Sequence, residues 1–309
     1  MDVSIIIVNY KTVPLILNCI ESIYKQTTGG LLFEIIIVDN NSEDDFEKKI
    51  KDRFPEVICV PLSSNIGFGR ANNEGIKIAK GRNTLFLNPD TILINNAIKI
   101  LSDYLDMNNS VGACGGNLYD EGMHPTHSYR MLLPSLLWEM NNLFYGYIEK
   151  LYWKNNYQFN HSSQPIEVGY ICGADLMIPT RILNNISGFS SDFFMYFKET
   201  ELEFRIKKAG FKIISVPQAK IMHLEGKSFD PKYFNERKVQ YFENSSKIYY
   251  RLTQKSRFIR ILINSIHFLS IVIHMILALC RFKIYKANNA RKRLKSAAKI
   301  HVSNAYFIY

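Results

Sequence analysis

The sequence predicts an α/β protein built on a doubly wound, nucleotide-binding sheet. Short, nearly continuous apolar runs alternate with segments of helical spacing, and three strand–helix steps fit within the first 90 residues. The apolar runs also end in polar clusters, where open α/β sheets place their ligands. Residues 3–8 form the first strand, and Leu15, Cys19, Ile20 and Ile23 share the face of the helix after it. Residues 34–38 give the second strand. The next helix covers 44–54, opened by Ser42 with Asp45 in the capping-box position. Strand 57–60, helix 69–79 and strand 84–87 complete a first half over residues 1–110. Beyond residue 110 the rhythm loosens. A stretch rich in Tyr, Phe and Trp (138–159) suits stacking on a sugar or packing in a core, and a strand pair is expected across 167–179.

With 309 residues and 47% hydrophobic content, the chain can bury one large α/β domain or two smaller ones. Its five cysteines are scattered and include no CxxC, which suggests neither a disulfide framework nor a zinc knuckle and suits a reducing cytoplasm. The opening MDVSIIIVNYK lacks the basic region of a secretory signal and reads as a buried strand. Charge is concentrated at the other end. Residues 244–309 hold 13 Lys and Arg and no Asp or Glu, so residues 1–243 carry a net −3 of the total +10. Within this tail, residues 261–280 contain no Lys, Arg, Asp or Glu, while Arg260, Asn264, His267, His274 and Arg281 fall on one helical face. That pattern predicts a helix lying in a membrane surface, with Arg291, Lys292, Arg293 and Lys295 drawn to anionic headgroups. A helix capping the domain is the alternative. No nucleic-acid partner is expected, because the basic residues enclose an apolar segment and no recognition motif.

The candidate site residues cluster at strand ends. Asp39, Asn40, Asn41 and Ser42 follow one apolar run, and Asn88, Pro89 and Asp90 follow another. Either set also suits a turn or a helix cap. The stretch NIGFGRANNEG resembles a dinucleotide fingerprint but has Asn72 where the third glycine belongs, and it follows the third strand instead of the first. A nicotinamide enzyme therefore fits poorly, although Gly67 can admit a phosphate or sugar closely and Arg70 supplies charge. Asp90 is a candidate ligand for Mn²⁺ or Mg²⁺, which takes one or two carboxylates and leaves the rest to phosphates. His223, ending another apolar run, is a candidate second ligand of the kind Mn²⁺ accepts. Finally, FFMYFKETELEFRIKKAG (193–210) sets Glu199, Glu201 and Glu203 at alternate positions of a helix. Acids suit a helix's first turn, and one of them could equally serve as a base. Glu203 precedes Lys207 by four residues and reads as a surface pair.

Taken in order, VSIIIVNYK, IIIVDNNSED, NIGFGRANNEGIKIAKG, LFLNPDT, GADLMIPTRILNNISGF, FFMYFKETELEFRIKKAG and IMHLEGKSF resemble glycosyltransferase family 2, inverting enzymes, and particularly its rhamnosyltransferase-like branch. The resemblance covers most of residues 3–229. It implies a GT-A fold, a mixed doubly wound sheet, over residues 1–243: a nucleotide-sugar-binding half (1–110), an acceptor-side half (111–243) and then a basic, partly apolar helical tail (244–309). It implies a nucleotide-diphospho-sugar donor, a divalent cation, and a lipid-linked or growing surface glycan as acceptor. Asp39 would touch the nucleobase, with Asn9, Asn65, Gly67, Arg70, Asn72 and Asn88 lining the donor site; Asp90 would hold the metal, and His223 the metal or diphosphate. Glu199 matches the second of the family's two adjacent acids, the position assigned to the base, and Glu201 would orient it or meet acceptor hydroxyls. Two departures stand out: Lys198 replaces the first acid, and Ser190 and Ser191 replace an acidic turn. They keep open a second reading, a nucleotide-sugar-binding protein without turnover.

Overall fold

The computed structural model describes residues 1–224 and 236–280, which form two compact units. The first contains Met1–Met131, Asn155–Phe194 and residues 198–224; the second contains Leu132–Lys154, Met195–Phe197 and the described residues from 236 onward. The chain begins with β1 (Val3–Asn9), α1 (Val13–Gln26), β2 (Phe33–Asp39), α2 (Phe46–Lys51), β3 (Ile58–Pro61), α3 (Phe68–Ile78) and β4 (Asn83–Leu87). There follow β5 (Thr91–Leu93), α4 (Ala97–Met107), β6 (Val111–Tyr119), β7 (Tyr129–Arg130), α5 (Leu136–Leu143) and α6 (Tyr147–Trp153). Next come β8 (Ile166–Glu167), β9 (Tyr170–Ile171), β10 (Asp175–Pro179), α7 (Thr180–Asn185), α8 (Lys198–Lys208) and β11 (Lys212–His223). The described chain closes with α9 (Glu236–Thr253) and α10 (Arg257–Cys280).

The main sheet of the first unit is mixed, in the order β3-β2-β1-β4-β10-β6-β11-β5, with β8 added against β11. The first four strands are parallel, as their apolar runs predict, whereas β10 lies antiparallel between β4 and β6. Strand alternation sorts the core onto two faces. Ile5, Ile7, Ile35 and Ile37 pack with Ile16 and Ile20 of α1 and Leu101 of α4; Ile6, Val8, Ile36 and Val38 pack with Ala71 of α3 and Leu202 and Ile206 of α8.

Two local expectations are corrected. The strand pair expected over 167–179 is three short strands, each paired elsewhere: β8 with β11, β9 with β7, and β10 with β4 and β6. Gly169 allows the separation, because a Cβ there would stand 2.6 Å from the Met131 carbonyl oxygen. Ser42 does not cap the second helix. That helix begins at Phe46 behind Asp45 in a left-handed conformation, and Ser42 is held by Asp39.

In the second unit, α5, α9 and α10 enclose a charged cluster. His267 of α10 stands between Glu139 of α5 (Nδ1–Oε2 3.1 Å) and Glu243 of α9 (Nε2–Oε1 3.2 Å), and the Tyr250 hydroxyl donates to Glu139. Both glutamates are buried. Burial alone would lower the imidazole's pKa, but the hydrogen bonds and charges of the two carboxylates outweigh it and raise it to about 10. The folded value thus lies above the ordinary 6.5, so this stabilisation is complete below about pH 6.5 and is lost as pH rises through 10. Replacing His267 with Ala should cost roughly 3–5 kcal/mol, the usual penalty for leaving a buried ionic partner uncompensated. Urea unfolding across this pH window should show a downward slope in the wild type that the variant lacks.

Candidate active site

Strands β1 and β2 end in register at Asn9 and Asp39. Asn9 Nδ2 donates to Asp39 Oδ1 at 2.6 Å, Ser42 Oγ donates to the same oxygen, and the Ser42 N–H donates to Oδ2 at 3.0 Å. The Asp39 carboxylate is therefore fixed in orientation. Beside it lies an open cavity of about 630 Å³ that Asn41, Pro61 and Leu62 help to line. The next loop is tied to the same strand end: Asn40 Nδ2 donates to Asn65 Oδ1 (2.9 Å), which also accepts the Gly67 N–H (3.0 Å). Gly67 precedes α3 at φ +86°, and a Cβ there would lie 2.7 Å from the Phe194 carbonyl oxygen, so both backbone conformation and space require glycine. Arg70 Nε donates to the Ser191 carbonyl at 2.9 Å, and Asn72 is fully buried with Nδ2 on the Phe68 carbonyl. These two side chains brace the glycine loop and helix.

A second group forms where β4, β5 and β11 meet. His223 ends β11 opposite Thr91 of β5, and its Nε2 lies 3.4 Å from Asp90 Oδ1 and 3.4 Å from Asn88 Nδ2. Two ligands about 2.1 Å from one small divalent ion, at a right angle, stand roughly 3 Å apart, so the carboxylate and imidazole fit a shared cation. Among the described residues, no third His, Cys, Asp or Glu joins them. The remaining coordination positions are left for phosphate oxygens and water.

The third group is built on α8, where the three alternating acids have three different fates. Glu199 is partly exposed and accepts from Lys198 Nζ at 2.8 Å through Oε2; Lys198 in turn sits 4.6 Å from the centre of the Phe68 ring. Gly173 adjoins the other carboxylate oxygen, where a Cβ would come within 3.1 Å of Oε1. The next residue, Ala174, accepts the Asn88 N–H at 2.9 Å, which brings Glu199 beside the strand end bearing the cation pair. Glu201 faces away from this group. Arg205 binds it with both Nε and Nη2, at 2.7 and 2.9 Å, and also donates to the carbonyls of Ile186 and Gly188. Glu203 is not the surface partner of Lys207. It is fully buried, accepts the Ile171 N–H at 2.8 Å, and burial raises its pKa well above the ordinary carboxylate value. Lys207 instead donates to the Val168 carbonyl. Asp175 is buried close by and accepts the Gly116 N–H, its pKa likewise raised by burial. Gly173 and Asp175, the outer residues of the GAD triplet, carry no sequence signal of their own beyond that triplet.

A mixed α/β sheet with acids gathered at one edge, Asp39 at one strand end and Asp90 at another, is the framework of a GT-A glycosyltransferase. The chain belongs to glycosyl transferase family 2, whose model matches residues 4–173. It is 25% identical over 202 residues to the N-acetylglucosaminyl-diphospho-decaprenol L-rhamnosyltransferase of Mycobacterium tuberculosis, a match covering 61% of this chain and 66% of the relative. It is 34% identical over 102 residues to a poly(ribitol-phosphate) beta-glucosyltransferase of Bacillus spizizenii, covering 32% of this chain and only 16% of that protein. The fold matches the mannosyltransferase PcManGT of Pyrobaculum calidifontis, solved in complex with GDP-Man and Mn²⁺, with a TM-score of 0.56 at 14% identity over 99% of this chain and 80% of that one.

Proposed function

We propose that the protein is an inverting, metal-dependent transferase that moves a sugar, with rhamnose as the leading candidate, from a nucleotide-diphospho-sugar to a hydroxyl of a lipid-linked or growing surface polysaccharide. The reaction would take place at the cytoplasmic face of the cell membrane. The convergence of Asp90 and His223 beyond the end of β4, two strands along the sheet from the one that ends at Asp39, carries this reading. Support comes also from the relatives, whose names include a rhamnosyltransferase acting on a decaprenol-linked sugar and a glucosyltransferase acting on a polyol-phosphate polymer. In this reading Asp39 accepts from the nucleobase, the 65–72 loop accommodates the sugar-diphosphate, and Asp90 and His223 hold Mn²⁺ or Mg²⁺. The bound cation neutralises charge developing on the leaving diphosphate. Glu199 takes the proton of the acceptor hydroxyl.

Thermal shifts with dTDP, UDP, GDP and CDP, each with and without Mn²⁺, test the donor half of this proposal. One nucleotide should raise the melting temperature only when metal is present. Stabilisation that ignores the metal, or none with any nucleotide, overturns it. The Lys198–Glu199 ion pair favours a second reading, a nucleotide-sugar sensor without turnover. Turnover of a sugar nucleotide excludes it.

A further inference from the structure

Helices on soluble proteins turn apolar residues inward and polar residues to water, but α10 mixes polar and apolar residues on its inward face and leaves a largely apolar face exposed. Beside the buried Ile263 and Ile271, its inward face carries His267 in the Glu139–Glu243 cluster, the buried Ser270, and His274, whose ring lies tilted against Tyr145 with centroids 4.0 Å apart. Its outward face is dominated by Phe258, Ile261, Leu262, Phe268, Leu269 and Ile276, with Arg257 and Ser265 as the exposed polar residues. Another helical stretch of the same unit adds to it, with Phe144 just after α5 and Tyr147, Leu151 and Tyr152 of α6 exposed; the last is 74% exposed. Of the 22 large hydrophobic side chains exposed among the described residues, 15 belong to this unit, although it is the smaller of the two. So much exposed apolar surface within one unit marks it as an interaction module.

We propose that the second unit is a membrane-docking module, and that the outward face of α10 together with the aromatic edge of α5 and α6 lies in the interfacial layer of an anionic bilayer. Three features select a lipid surface. The same unit exposes Tyr145, Tyr147 and Tyr152, and such amphipathic rings concentrate at the headgroup level of membranes. The sequence from 244 onward holds 13 basic residues and no acid, complementary to anionic lipid. Arg281, Arg291, Lys292, Arg293 and Lys295 lie outside the described residues and enter only through their charge. His267 and His274 face protein, and from Phe258 to Leu277 the exposed residues of α10 include no ionisable one, so that side can contact acyl chains without burying a charge. His267 also decides between lying on the membrane and crossing it. Residues 257–277 are long and apolar enough to span, but a spanning α10 would carry His267 and its two glutamate partners to the middle of the hydrocarbon.

The inference deepens the proposed function by specifying how the enzyme would meet a lipid-linked acceptor. Its test needs no turnover, so the two can fail separately. The full-length protein is floated with vesicles of phosphatidylcholine alone and of phosphatidylcholine with phosphatidylglycerol. It should float with the anionic vesicles and far less with the neutral ones. The double variant Phe258→Glu, Leu269→Glu should reduce vesicle binding by about tenfold or more, while unchanged circular dichroism and nucleotide-dependent thermal shift report an intact fold. Full-length protein that ignores both vesicle types, or a double variant that floats as well as the wild type, overturns the proposal. So does a vesicle-free dimer that the double variant converts to monomer without any vesicle binding in either form, because the face would then be a contact with a second copy.

Discussion

Replacing Glu199 with Gln should lower sugar transfer by roughly 10²–10⁴-fold, the usual contribution of a general base, while metal-dependent nucleotide binding survives. Inversion in a single displacement requires a base that deprotonates the acceptor hydroxyl as it attacks the anomeric carbon, from the side opposite the leaving diphosphate. Of the three acids on α8, Glu199 is the one suited to this. Lys198 engages its Oε2, and among the described residues no hydrogen bond engages Oε1, which leaves that oxygen to accept the proton. Glu201 is bound at both oxygens by Arg205, and Glu203 is buried beneath the site. Gln keeps the shape of Glu199 and removes its basicity. Transfer is read as nucleotide released from the sugar nucleotide with a membrane fraction as acceptor, and binding as the nucleotide-dependent thermal shift. If Glu199→Gln transfers at the wild-type rate while Glu201→Gln does not, the base is Glu201, and the Arg205 pair must open during the reaction.

Asp90→Ala should lower turnover by roughly 10²–10³-fold, comparable to losing one preorganised electrostatic contact to the developing charge. Donor affinity should fall less than turnover, because Asp90 and His223 would hold a cation whose charge would count most as the sugar–phosphate bond breaks. The fold should survive. The Asp90 backbone carbonyl, which accepts from Leu224, is kept in the variant, and the lost carboxylate faces His223 instead of the core. Kinetics with increasing Mn²⁺ and a calorimetric titration of the nucleotide separate the two effects. Near-normal turnover in Asp90→Ala, or full activity of the wild type in excess EDTA, would remove the metal from the mechanism.

The parts of this molecule that are legible in its sequence are those set by short-range periodicity. β1, β2 and β4 are nearly continuous apolar runs because both sheet faces are covered, and their ends lead into Asn9, Asp39 and Asn88. The helix at 198 is legible for the same reason, since Leu202 and Ile206 repeat at helical spacing and are fully buried. What local pattern could not resolve is which side of an element meets the protein. Glu203 stands four residues before Lys207 and suits a surface pair, but the same side of α8 packs where the Ile171 N–H, 32 residues earlier in the chain, needs an acceptor. The polar stripe of α10 poses the same question on a larger scale. Its spacing is plain in the sequence, but the direction it faces depends on Glu139, which is 128 residues away.

The position of β10 bears on how the chain can fold as it is made. Asp175–Pro179 is the strand that joins β4 to β6, pairing with Asn83–Leu87 on one side and at Cys114 on the other. A nascent chain that has emerged only as far as the end of the family match at residue 173 therefore has its four parallel strands but not the one that closes the sheet. Until then β4 is an open edge, its backbone donors and acceptors available to any other strand. Because domains fold from the N-terminus as they are synthesised, the interval between residues 88 and 174 is a window of aggregation risk, and it closes only when β10 slides into place.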